Sequence, residues 1–214
     1  ASGGGPARAA RGGELRRAGG GNLEDWMLLD AGRFGISERL AAGITTYAVA
    51  GSSVGVMRAR REKSVRGIMY QEVFGPDPSH ADVAMRELED QIGKLQLEQT
   101  ELVSLGVSPH APYTVSDRLY KAAAQFASSR RLPLAMHIAE SEPEYDIIAN
   151  ARGDFAERWQ RRGIAVARRA RSPIELLDKH GVLDRGPLLI HSVRVDDADI
   201  AIMARRRCAV AHCP

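Results

Sequence analysis

The chain has 214 residues, 44% hydrophobic and 27% charged, with a net charge of +3 and two cysteines. The composition excludes a wholly disordered chain, and the length suits one domain but falls short of the roughly 250 residues of a complete (β/α)8 barrel. A disulfide framework is excluded too, and no apolar run approaches the ~20 residues needed to cross a membrane, so a protein of the reducing cytoplasm is expected.

Residues 1–22 are rich in Gly, Ala and Arg and contain almost nothing large and apolar. They are predicted to form a disordered leader ahead of a single domain over 23–214. Short apolar runs with β-branched residues then predict buried strands at 44–49, 66–73, 102–107, 134–138, 188–193 and 208–211. Amphipathic spacing predicts helices at 82–97, 116–129 and 173–180, several opened by a Ser or Asp N-cap, and residues 142–171 form a longer excursion with one or two helices. The densest basic run, 58–66, holds only Glu62 as an acid and no aromatic residue for a base to stack on. It is read as solvated surface, and no nucleic-acid partner is expected.

Strands that are apolar on both faces and separated by helices imply a parallel α/β sheet, because a crossover helix returns the chain to begin each parallel strand. Six strands fit either an open doubly wound sheet or most of a closed barrel. The absence of any GxGxxG or GxxxxGK[ST] loop after a strand disfavours a nucleotide-binding open sheet.

Polar residues fall at particular places along this pattern. His110, the pair His137 and Glu140, His191 and His212 each close an apolar run, so four of the six histidines stand at C-terminal strand ends. A single histidine there is more often a satisfied structural side chain than a ligand. Four in successive strands match the face on which a barrel assembles its active site. His80 and His180 lack that placement and are read as structural or solvent-exposed. Cys208 and Cys213, in CxxxxC spacing without a second pair, are a poor zinc signal.

The segments AAGITTYAV (41–49), RGIMYQEVFGPDP (66–78), GVSPHAPYTVS (106–116), LPLAMHIAES (132–141), SPIELLDKHGVL (172–183), LLIHSV (188–193) and CAVAHCP (208–214) resemble the metal-dependent amidohydrolase superfamily. The resemblance points to the branch of S-adenosylhomocysteine, aminofutalosine and guanine deaminases and triazine chlorohydrolases. It implies a barrel with zinc or iron at its C-terminal mouth, and hydrolytic deamination or dechlorination of a small heteroaromatic substrate. By that resemblance His137 is a metal ligand. Glu140 is the acid that shuttles a proton from water to the leaving group, His191 steadies the hydroxide or substrate, and His110 contacts the substrate. A divalent cation brings the pKa of its water from 15.7 towards ~7, and a neighbouring carboxylate must then move the proton. The bland reading of Glu140, with Glu142 and Glu144, is an acidic helix N-terminus.

The family's HxH pair is absent from this sequence, and its metal-binding Asp would follow Pro214. The expectation is therefore an incomplete (β/α)8 barrel lacking its first and eighth strands, with metal held weakly or not at all and little activity alone. Its exposed sheet edges would invite self-association or a complementing chain. A catalytically inactive remnant and one part of a split enzyme are the alternatives.

Overall fold

The structure, a computed structural model, describes residues 25–213. The expected leader lies outside the described residues. Helix α1 (Asp25–Ala41) comes first and ends where Gly43, at φ +80°, turns the chain. The amides of Gly43 and Ile44 bond back to the carbonyls of Leu40 and Arg39, which satisfies the last helical turn. Ile44 is thereby used in ending the helix, so β1 (Thr46–Gly51) begins two residues later than the hydropathy suggests.

The remaining elements alternate strictly up to the third strand. They are α2 (Val54–Glu62), β2 (Arg66–Val73), α3 (Ala81–Gln96) and β3 (Val103–Pro109). Next come α4 (Asp117–Ser129), β4 (Ala135–Ile138) and the short α5 (Glu142–Tyr145), which runs into one π turn (Asp146–Asn150). Then follow α6 (Asp154–Arg161), α7 (Pro173–Lys179), β5 (Leu188–His191), α8 (Asp197–Arg205) and β6 (Ala209–Ala211). Ser116 and Ser172 cap their helices as expected, and Asp196 caps a helix that was not expected, each accepting the amide three residues on, whereas Asp82 lies inside α3 and caps nothing. No described helix is long and apolar enough to cross a membrane.

All strand pairs are parallel, in the orders β1-β2-β3 and β4-β5-β6. A single parallel bridge, Val107 to Leu134, joins the two groups. Two amides carry this seam: Val107 donates to the Pro133 carbonyl and His137 to the His110 carbonyl, both at 2.9 Å. Gly106 is required there, because a Cβ at that position would stand 2.4 Å from the Tyr70 ring and 2.8 Å from the Pro133 carbonyl. Every strand therefore sends its C-terminal end to the same side.

The core lies between this row of strands and the helices. α3 buries Ala84, Leu88, Ile92 and Leu95, and α4 buries Leu119, Tyr120, Ala123 and Ala127. They pack with Val107, Met136, Ile138 and Leu189 from the strands, except Leu95, which joins Met57, Met69 and Leu105. Each buried Leu or Ile contributes about 1.5–3 kcal/mol relative to exposure. One expectation fails here. Arg60, inside the basic run read as solvated surface, is fully buried, with a guanidinium N–H on the Tyr47 carbonyl and the cation 4.5 Å from the Tyr47 ring centre. Helix α2 lies against α1 and the strands, so one side of it faces protein and takes Arg60 inward.

Candidate active site

His110 follows β3 and opens a tight loop. The Thr114 hydroxyl donates to the Ala111 carbonyl at 3.0 Å and lies 2.8 Å from His110 Nδ1. A hydroxyl has one proton, so both contacts are made together only if His110 Nδ1–H is the donor to Thr114, which leaves Nε2 with its lone pair. Burial and the neighbouring His137 lower the pKa of His110 to about 4, so the ring is neutral at pH 7.

His137 is on β4, its ring centre 5.0 Å from that of His110 and 5.5 Å from that of His191. Its Nδ1 is buried without a protein hydrogen-bond partner. Burial, then the nearby His191, lower its pKa. Two residues on, Ala139 adopts φ +52°, a left-handed conformation that an L side chain rarely takes. Glu144 holds the turn: its two carboxylate oxygens accept the amides of Ala139 and Glu140, each at 2.8 Å. Glu144 is fully buried, and burial pushes its pKa up to about 7 against the pull of those two amides.

The turn presents Glu140. Its Oε2 accepts the Tyr113 hydroxyl at 3.2 Å, and its Oε1 lies 3.6 Å from His191 Nε2. Burial, then the Glu140 charge, raise the Tyr113 phenol, which stays protonated and can keep donating. His191 and Ser192 end β5 with φ of +79° and +50°. Their left-handed turn lets the amides of Ser192, Val193 and Arg194 bond the carbonyls of Ile138 and Ala139. Strained residues held by so many bonds are typical of sites where side chains must be aimed. His191 Nδ1 donates to the Cys213 carbonyl at 3.1 Å, which turns Nε2 toward Glu140.

Beside this cluster lies a recess of about 530 Å³ walled by Phe74, Tyr113, Phe155 and Trp159 with Arg158 and Arg162. Tyr113 and Phe155 stack in parallel at 4.2 Å, and Phe74 lies 4.7 Å from the His110 ring. An aromatic wall next to the polar cluster suits a flat unsaturated molecule.

The sequence profile described as the amidohydrolase family matches residues 25–214. The chain belongs to the amidohydrolase family. Aminodeoxyfutalosine deaminase of Deinococcus radiodurans is 31% identical over 186 residues, 81% of this chain and 43% of that protein. A 5-methylthioadenosine/S-adenosylhomocysteine deaminase of Thermococcus kodakarensis is 29% identical over 74% of this chain and 34% of its own length. This amidohydrolase chain thus spans less than half the length of the curated relatives it matches. Among solved structures, aminofutalosine deaminase of Helicobacter pylori in complex with methylthio-coformycin superimposes with a TM-score of 0.74 at 16% identity, over 85% of this chain and 45% of that one. Zinc-complexed atrazine chlorohydrolase of Arthrobacter aurescens gives 0.69 at 18% identity, over 94% and 46%. At such identities the likeness is one of fold.

In this amidohydrolase chain His110, His137, Glu140 and His191 come together at the ends of three adjacent strands. His212 sits at the next strand end, where its Nδ1 bonds the His191 carbonyl. His180 is structural, its Nε2 3.1 Å from Asp117. His80 is exposed beside Asp77. Two residues at this cluster escape the motif reading. Glu144 reads as an ordinary acid at a helix start. Glu72 lies within 4.8 Å, ligand atom to ligand atom, of both His110 and His137. The available signal was a carboxylate near the C-terminal end of an apolar strand, the end at which a barrel gathers its polar groups.

Proposed function

We propose that this chain forms part of a (β/α)8 barrel. Its family role is hydrolytic deamination or dechlorination of a small heteroaromatic substrate, carried out with a divalent metal, zinc or iron, in the reducing cytoplasm. Six parallel strands in chain order, with their polar residues at one end, support the barrel reading. The observation that carries the chemistry is Glu140, held between the Tyr113 hydroxyl and His191 at the mouth where His137 also stands.

His137 fits a metal ligand: its Nδ1 is a buried polar atom with no protein partner, and a second ring shares its pocket. Bound there, a divalent cation would supply water ionised near neutral pH. Glu140 is placed to accept a proton from an attacking water and to give it to a departing amine, for which its carboxylate must be reachable and correctly aimed. The Glu144 bond to the Glu140 amide fixes the aim, and the Tyr113 hydroxyl fixes one oxygen. His191, with Nδ1 committed to a carbonyl, offers Nε2 to the attacking oxygen or the ring. The aromatic recess seats the rest of the substrate.

The chain holds no HxH pair. The test therefore uses a polypeptide that joins it to strands bearing HxH and Asp. Glu140→Gln is expected to keep metal while turnover falls by about 10²–10⁴. His137→Ala is expected to lose the metal. Full turnover in the Gln variant overturns the proton-shuttle role, and unchanged metal content in the Ala variant overturns the ligand role.

A further inference from the structure

The turns after β2 and β3 supply Phe74 and Tyr113 to the recess beside Glu140, and α6 with its C-cap supplies Phe155, Arg158, Trp159 and Arg162. Residues spaced i, i+3, i+4 and i+7 share one face of a helix, the stripe that ordinarily carries apolar side chains toward the protein. In α6 two of those four positions are arginine. The helix is tied to the reaction cluster, because buried Trp159 donates through Nε1 to the Tyr113 carbonyl at 3.0 Å and the Tyr113 hydroxyl donates to Glu140 at 3.2 Å.

The charges in the recess are not balanced. Among the described residues neither Arg158 nor Arg162 is within ion-pair distance of a carboxylate, and the Arg158 guanidinium lies 5.9 Å from the Phe155 ring centre. Asp77 is the one acidic residue in the described lining, and it is committed to its own turn. Its Oδ1 accepts the Ser79 amide and hydroxyl at 2.8 and 2.7 Å, and its Oδ2 faces His80 at 3.5 Å. A cation in the last turn of a helix can simply complement the helix dipole. That reading suits Arg161, which does not line the recess and pairs with Glu157. It gives no reason for two like charges one turn apart to share the recess, where they repel each other.

We propose that Arg158 and Arg162 bind an oxyanion, a carboxylate or phosphate group carried by the substrate beyond its reacting ring. The inference rests on the reading of Glu140 as the proton shuttle and deepens it, since the recess shares Tyr113 with that site. A guanidinium offers planar paired donors that suit either anion, and the aromatic wall holds the apolar body between anion and reacting ring. Substrate choice then resides in the excursion after β4, whereas the reaction chemistry resides in the strand ends.

The test uses Trp159 as reporter, in the purified 214-residue chain carrying Trp26→Phe so that one tryptophan remains, with folding checked by circular dichroism. Its fluorescence is titrated with phenyl phosphate, phenylacetate, the neutral 2-phenylethanol and inorganic phosphate. At least one of the two aromatic anions should bind about tenfold more tightly than 2-phenylethanol and than inorganic phosphate, with the advantage over the alcohol shrinking as salt rises. The tighter of the two identifies the group. Arg158→Gln together with Arg162→Gln should abolish the preference for the anion and leave 2-phenylethanol binding as in the parent, and Arg161→Gln should change neither. Equal affinity for charged and neutral rings, a preference that survives the double variant, inorganic phosphate binding as tightly as the aromatic anions, or no response to any of the four would overturn the proposal. No readout involves turnover or a metal, so the anion site can fail while the role of Glu140 stands, and the reverse.

Discussion

Glu144 holds the backbone from which Glu140 projects. Both its oxygens accept backbone amides, and the side chain is sealed from water. In Glu144→Gln one oxygen becomes an NH₂, which cannot accept, so the amide of Ala139 or Glu140 is left buried and unpaired. The expected cost is about 1–3 kcal/mol, read as a lower urea midpoint with unchanged slope. In a turnover-competent polypeptide the same variant should reduce kcat, because the Glu140 backbone loses its anchor. At this scale the sequence marked His137, Glu140 and His191 as strand-end polar residues, and the structure brings them together. It was uninformative about Glu144 and Glu72. A helix-start acid looks alike whether it faces solvent, as Glu142 does beside Arg194, or turns under the preceding strand. Which strand residues face one another depends on register, which hydropathy does not encode.

The loop 110–116 belongs to the scale of elements, because α4, α6 and the segment after α6 hold it. Arg169 donates to the carbonyls of Pro112 and Val115 and pairs with Asp117 at the start of α4. Its guanidinium lies 5.3 Å from the Trp159 ring centre, while Trp159 Nε1 bonds the Tyr113 carbonyl at 3.0 Å. Lysine keeps the charge but has no planar fork. Arg169→Lys is expected to cost about 1.5–3 kcal/mol and to raise amide exchange in residues 110–116 before it affects the strands. Unchanged exchange there would show that Trp159 alone suffices. The strands themselves were legible to within a few residues, because each carries a continuous apolar run, although β6, expected as buried, has no buried residue. Helix α1 was not. Trp26 and Phe34 are largely exposed while Ile36 is buried, so its apolar residues form no single stripe for periodicity to find.

For the whole molecule, the consequence of the strand row is its two ends. Among the described residues β1 pairs only with β2, and β6 only with β5. Among the described residues each outer strand therefore offers a line of backbone donors and acceptors, a template for another chain. Large apolar side chains stand nearby, with Ile44 45% and Val210 46% exposed. Unpaired edges and exposed apolar surface favour association at roughly micromolar concentrations and above. The 214-residue chain by itself is expected to sediment as species heavier than the monomer, with the distribution moving upward as concentration rises. Val210→Lys places on β6 the charge that natural edge strands use against pairing, and should shift the distribution toward monomer without altering the far-ultraviolet circular dichroism. A single monomeric species at all concentrations would mean that both edges are covered within the chain itself.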